Sequence, residues 1–226
     1  MQNVSEAGDF LITVSKYKGH DAHVDVPAGA TTIGARAFAG NSGLESVSLP
    51  EGVRGIDESC FESCRALAAV GLPRSLWRIG PHAFKRCTAL AAIELGREVS
   101  TLGEEAFRGC TALEEIVLPT SVKYVKAGCF ADCTSLRSVV LPSGLRELGA
   151  RAFRNCTALE EIVLPDGLRV IEPGTFAGCT ALHAVVLPEA LQDIRSLAFA
   201  GCTSLELPPL PESLTALAED AFDGVF

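Results

Sequence analysis

The sequence predicts an α/β repeat solenoid wound from 23-residue units, and three observations carry that prediction. Phenylalanine stands at positions 38, 61, 84, 107, 130, 153, 176, 199 and 222, spaced by 23 residues without one insertion. Seven cysteines (Cys64, Cys87, Cys110, Cys133, Cys156, Cys179 and Cys202) each follow a Phe of this series by three residues. After each cysteine comes an apolar trio, such as Leu113/Ile116/Leu118, whose last pair alternates with the period of two that strands require. The best-matched stretches, FRGCTALEEIVLP at 107–119 and FRNCTALEEIVLP at 153–165, differ only at Gly109 versus Asn155 and lie two periods apart. An unbroken array has one continuous core, which overrides the one or two ordinary domains that 226 residues suggest by length.

Residues 1–23 read as an N-terminal capping segment, and 24–226 as the solenoid with its C-terminal cap, together a single domain. In the cap, FLITV at 10–14 and SKYKG at 15–19 form a strand and a turn outside the register. Val24, Val26, Pro27 and Ile33 make a partial first unit leading to Phe38. In each full unit the trio forms a short strand, ended by proline at Pro50, Pro73, Pro119, Pro142, Pro165 and Pro188, because proline cannot donate to a ladder. Gly96 breaks that column. A second apolar pair, such as Val122/Val125 or Leu168/Ile171, predicts a second extended stretch. Glycine often follows it (Gly34, Gly80, Gly103, Gly149), which fits a corner with unusual backbone angles. Segments such as EEAFRGC are expected to form one helical turn carrying Phe inward. At the C-terminus, Pro208, Pro209 and Pro211 deny donors to a further strand and protect the sheet edge.

Stacked units align their thiols side by side at roughly the 4.8 Å strand spacing, facing one way. A disulfide needs sulfurs that face each other across Cβ atoms ~3.5–4.5 Å apart. The cysteines are therefore read as small buried hydrophobes with a weak S–H donor, suited to a reducing compartment. A net charge of −9 and a pI near 5.0 argue against nucleic acid and against anionic lipid as partners. No apolar run reaches the ~18 residues of a membrane span. The N-terminal MQNVSEAGDFLITVSKYKGHD has no basic leader followed by an apolar run, so the expectation is a cytoplasmic protein, with the cell surface or secretion as the alternative if a leader has been removed.

The unit F-x-x-C-T-x-L-x-x-I-x-L-P-x-x-L-x-x-I-G-x-x-A-F resembles the BspA-type leucine-rich repeat, and the resemblance covers about residues 24 to 222. It implies a right-handed leucine-rich-repeat solenoid with the LxxIxLP strands in a parallel sheet along one face. Members are often secreted or surface proteins implicated in adhesion, which implies an adhesion-type binding role and supplies no catalytic residues.

In a solenoid, function rides on columns of outward residues. The residue before the last Leu of each strand runs Ser48, Gly71, Glu94, Val117, Val140, Val163, Val186 down the array. The neighbouring column includes Glu115, Ser138, Glu161 and Ala184. Together they predict an exposed apolar ridge at Val117, Val140, Val163 and Val186, rimmed by Glu114, Glu115, Glu160 and Glu161, as the binding face for a protein or peptide. The plainer explanation is that valine merely suits strands. On the second strand, Arg54, Trp77, Ser100, Lys123, Arg146, Arg169, Gln192 and Thr215 make a modest basic stripe. It is suited to solvent, to an acidic partner, or to the Glu-rich face of another copy. Self-association as a homodimer or structural scaffold is thus the alternative to a foreign ligand.

No enzyme is expected. CFESC and CFADC (Cys60/Cys64 and Cys129/Cys133) each offer two thiolates where zinc sites want four ligands, so no metal is assigned. His20, His23, His82 and His183 have no fixed nucleophile or orienting partner in the pattern. The glycines of GVRGIDES and GATTIGARAFAG lack the spacing of a phosphate loop, and no cofactor is assigned.

Overall fold

The computed structural model describes residues 4–7 and 11–225. Of the expected cap strand, Phe10 lies outside the described residues. Leu11–Val14 pairs antiparallel with Val4–Ala7 and parallel with Ala30–Ile33, so it serves as the first rung of a ladder that continues into the repeats. Every later parallel pair joins residues 23 apart, for example Val47↔Val70, Ile56↔Ile79, Ile116↔Val139 and Ile171↔Ile194. The chain is a β-solenoid of about nine turns.

Parallel strands run along two flanks instead of one. The LxxIxLP flank holds three-residue strands at His23–Asp25, Ser46–Ser48, Ala69–Gly71, Glu115–Val117, Ser138–Val140, Glu161–Val163 and Ala184–Val186. This sheet is interrupted at two levels: residues 92–94 form no strand, and Ser138–Val140 does not pair with Glu161–Val163. The second flank carries two-residue strands from Gly55–Ile56 to Ala216–Leu217. At the C-terminal end the prolines do prevent a strand over 207–210.

The α component of the predicted class is absent: no helix forms among the described residues. Around each Phe the chain makes successive tight turns. Ala106, Arg108 and Cys110 donate to carbonyls three residues back (Gly103, Glu105, Phe107), while Glu105, Phe107 and Gly109 donate to Ala127, Cys129 and Ala131 of the next turn at 2.8–2.9 Å. Alternate N–H groups thus leave the segment, which no α-helix permits. The backbone also forbids one, because from Phe38 to Phe199 the residues two before and two after Phe are left-handed, as at Glu105 (φ 50°) and Gly109 (φ 72°). Position 109 is one of those columns, and Asn155 (φ 59°) occupies it in the twin stretch. Glycine and asparagine are the residues that enter this region most readily, so the one difference between the twins is conservative in backbone terms.

The corner glycines have a different cause from the one their sequence suggests. Gly103 and Gly149 keep ordinary φ, but a Cβ on Gly103 would lie 2.3 Å from Pro81 N, and one on Gly149 2.6 Å from Ala127 N. Successive turns approach backbone to backbone here, and only a residue without a side chain fits.

Two inner ladders hold the stack. The nine Phe rings stack near-parallel, with centroids 5.1–5.7 Å apart and planes within 11°, and Tyr17 extends the column 5.1 Å from Phe38. Rings from Phe61 to Phe199 are fully buried. Each repeat cysteine is more than a filler: its S–H donates to a Phe carbonyl of an earlier turn, as from Cys110 to Phe84 at 3.2 Å and from Cys179 to Phe153 at 3.1 Å. The same bond recurs from Cys64 to Cys202. All nine cysteines are free and buried. Burial pushes the thiols up, to about 11 at Cys64 and about 12 at Cys202, so they stay protonated at neutral pH.

A polar network ties four turns along the Phe side. Lys85 Nζ lies 2.6 Å from Glu105 Oε2, and Arg108 bridges Glu105 (2.6 Å) and Asp132 (2.9 Å). Asn155 Nδ2 then donates to Asp132 at 2.8 Å. His82 Nδ1 is buried 3.3 Å from Glu105 without a well-aligned hydrogen bond. Burial draws the Glu105 carboxyl upward, yet the Lys85 and Arg108 hydrogen bonds outweigh it and hold the group below its ordinary value.

Phe130→Ala, mid-stack, is expected to destabilise by about 3–5 kcal/mol in urea unfolding. Phe222→Ala at the half-buried end should cost less than half as much, and equal losses would contradict a continuous stack. A thiol reagent should label the native chain only as fast as it unfolds; rapid labelling without denaturant would show accessible thiols. Glu105→Gln should cost about 1–3 kcal/mol at pH 7. Because the folded pKa of Glu105 is depressed, its contribution is full above the unfolded value of about 4.3 and fades as pH falls through the folded one. The gap to wild type should therefore close in acid, and a constant gap would rule the network out as its source.

Candidate protein-binding face

Strand alternation places the valines. Ile116 and Leu118 point inward and are almost fully buried, so Val117 between them points out and is 59% exposed. The same holds for Val163 (63%) between Ile162 and Leu164, and Val140 and Val186 are similarly exposed. Val117 is in register with Val140, and Val163 with Val186. The four thus stand on consecutive turns in one row, as the sequence predicts. Where the ladder is interrupted between Val140 and Val163, a shallow groove of about 920 Å³ opens, lined also by Ser138, Glu161, Asp166 and His183. A second groove of about 600 Å³ lies against Val117, between Glu94, Arg97, Glu115 and Thr120.

Glu115 and Glu161 are exposed beside the row, together with Glu114 and Glu160. In a ladder of identical turns each residue neighbours its own equivalent, and like charges directly side by side repel. The acidic columns avoid this by alternation: Glu114, Arg137, Glu160, His183, Glu206 in one, and Glu115, Ser138, Glu161, Ala184 in the next. The carboxylates therefore recur every second turn, which accounts for the closest sequence twins lying 46 residues apart. The opposite rim carries no periodic signal in the sequence. Asp166 and Glu189, each directly after a strand-ending proline, are exposed on the far side of the valines. Only the position beside Pro165 and Pro188 marks them, and the same position carries Thr120 and Ser143 elsewhere.

The basic stripe on the second flank is less uniform than its letters suggest. Arg146 and Arg169 line a groove of about 520 Å³ together with Glu147 and Glu172, the latter paired with Arg195 at 2.6 Å. Lys123 Nζ turns back to the Thr120 carbonyl at 3.0 Å. Tyr124, outside the predicted column, is 45% exposed with Lys126 Nζ 5.3 Å from its ring centre, and Trp77 is equally exposed.

His82, one of the four histidines without a fixed partner in the sequence pattern, has Nδ1 3.3 Å from Glu105, which also pairs with Lys85. Burial pushes the Cys60 and Cys87 thiols well up and keeps them protonated at neutral pH. Among the described residues no three His, Cys, Asp or Glu side chains converge as metal ligands, and no helix is long and apolar enough to cross a membrane.

Comparison with known proteins agrees with this architecture. The sequence model of the BspA type leucine rich repeat region matches residues 17–122 and 100–225, with six copies. No curated protein matches. Among solved structures, a leucine-rich repeat protein from Bacteroides ovatus ATCC 8483 is similar at 29% identity and TM-score 0.86, over 95% of this chain. The match spans 58% of the Bacteroides chain. The leucine rich repeat protein of T. pallidum is similar at 30% identity and TM-score 0.68, over 91% of this chain and 88% of that one. A leucine rich cell surface protein from Faecalibacterium prausnitzii A2-165, at 23% identity and TM-score 0.63 over 98% of this chain and 84% of its own, shares the fold. With the family pattern matched from residue 17 to residue 225, the chain belongs to the BspA-type leucine-rich-repeat family.

Proposed function

We propose that this chain is a non-catalytic module that binds a protein or peptide along the LxxIxLP sheet face, centred on Val117, Val140, Val163 and Val186 and flanked by Glu115 and Glu161. The observation that carries the reading is the row of four half-exposed valines on consecutive turns, in register as Val117 with Val140 and Val163 with Val186. Strand propensity accounts for valine in a strand but gives no reason for the outward position to stay apolar over four turns, when Ser48, Gly71 and Glu94 fill it earlier. Leucine-rich-repeat proteins generally mediate protein interactions, and an adhesion-type contact is the form that the family resemblance favours.

A second reading, self-association as a scaffold, has its own support: the chain carries both an acidic apolar face and a stripe with Arg54, Arg146 and Arg169 exposed. Contact between such unlike faces is heterologous and extends into chains of molecules unless the rotation closes a ring. The unpaired thiols fit the reducing compartment of a cytoplasmic protein. At a cell surface, the location named for the F. prausnitzii protein, it is their burial that protects them from oxidation.

The test is the double substitution Val140→Lys and Val163→Lys, compared with wild type by light scattering and by capture of binding partners from the source cells. Both side chains are exposed, so the melting midpoint should change by less than about 1 kcal/mol in equivalent stability. A monomeric wild type that loses a captured partner on substitution supports the binding reading; an oligomer that dissociates on substitution supports the scaffold. If neither assembly nor capture responds, the valine row is no binding site.

A further inference from the structure

We infer that the occupant of the valine face is a basic amphipathic α-helix lying along the solenoid axis; this rests on the reading of that face as the binding site. Three features of the face select it.

The first is pitch. The turns repeat at about 4.8 Å where strands are paired, and at 5.3–5.7 Å along the rings from Phe107 to Phe199. An α-helix advances about 5.4 Å per turn, so side chains at i, i+4, i+7 and i+11 meet Val117, Val140, Val163 and Val186 one for one. An extended segment presents same-face side chains only every ~6.6–6.8 Å, and over three steps it overshoots the row by roughly one whole turn.

The second is charge. The row is enclosed by Glu114, Glu115, Glu160 and Glu161 on one side and by Asp166 and Glu189 on the other, all exposed; the cations beside it are Arg137, within the acidic column, and Arg97, in the groove against Val117 and 3.2 Å from Glu98. A partner that laid uncharged or acidic flanks on this rim would leave carboxylates desolvated without compensation.

The third is the spacing of those charges. The Glu pairs 114/115 and 160/161 stand two turns apart, about 10–11 Å, which is the rise of seven helical residues. Lysine or arginine repeated at i and i+7 beside the apolar stripe meets both pairs together. The grooves beside Val117 and between Val140 and Val163 give the larger apolar side chains of such a helix room to settle.

Three synthetic peptides of about 18 residues test this. One carries leucines at i, i+4, i+7 and i+11 with lysines seven apart on both flanks. The second has the same composition with leucine and lysine alternating, and the third is the helical peptide with glutamate for lysine. Binding to the full chain is followed by fluorescence anisotropy and helix formation by circular dichroism. The lysine helix is expected to bind at least about tenfold tighter than either other peptide, to weaken with added salt, and to lose about tenfold or more on Val140→Lys/Val163→Lys. Equal or tighter binding of the alternating peptide, still abolished by the valine substitutions, overturns the helix while leaving the face as a binding site. Equal binding of the glutamate helix overturns the charge selection. A chain that dimerises through the valines and excludes every peptide assigns the face to a second copy and overturns the proposal. Peptide affinities that ignore the valine substitutions, or no binding by any peptide, overturn it as well, and the former removes the face as a site.

Discussion

The fold depends on one constraint: each turn must meet a near-copy of itself, displaced along the axis by about one strand spacing. Everything inside the array is a consequence of that translation. Rings that differ by a pure displacement stack in parallel, and the Phe planes agree within 11° from Phe38 to Phe222. Backbone donors on each repeat turn find acceptors 22 to 24 residues away, as in Phe107 to Cys129 and Gly103 to Ile79. A residue inserted within a strand would put that turn's inward side chains out of line with both neighbours, and the Phe spacing stays at 23 from Phe38 to Phe222. A turn by itself cannot exist, because both of its broad faces are buried only by neighbours.

Translation also dictates what may sit beside what. Apolar residues and thiols gain from having their own kind adjacent, and so the Phe, Cys and Leu columns are nearly invariant. Charges lose by it, and the columns before each strand answer with alternation over two turns, Glu114 against Arg137 and Glu160 against His183, although Asp166 and Glu189, like Lys123, Arg146 and Arg169, do stand on successive turns. Where charges do lie inside, they are joined across unlike positions, as Lys85, Glu105, Arg108 and Asp132 are. The thiol column fits the same logic in a further way. Its slot needs a small group that also donates to the Phe carbonyl, and cysteine supplies both.

The candidate face arises where these rules relax. An outward column in the middle of a strand is unconstrained by the core, so its composition reflects solvent or a partner. Serine, glycine and glutamate occupy it in the N-terminal turns, and four valines occupy it afterwards. One of the two breaks in the sheet falls within the row, where ladder bonds are missing between Val140 and Val163 and a groove lies in their place. Apolar side chains, an acidic rim and a concavity thus coincide on one flank, whereas Cys60 is buried with its thiol held protonated and His82 Nδ1 is buried beside Glu105.

What the sequence determined by itself is everything periodic: the length of a turn, the number of turns, the inward columns, the strand ends at proline, and the outward row of valines with Glu115 and Glu161. A one-dimensional stack repeats the same local choice nine times, so the signal accumulates until it is unambiguous. Only the tertiary structure decided the rest. EEAFRGC has letters compatible with a helical turn, yet its alternate N–H groups find better partners on the next turn, and left-handed residues at 105 and 109 complete the departure. Gly103 is required by the backbone of Pro81 pressing on it, and Asp166 and the Glu105 network join positions that the repeat leaves variable. Such features depend on which unlike columns become neighbours when the turns stack. No spacing along the chain records that.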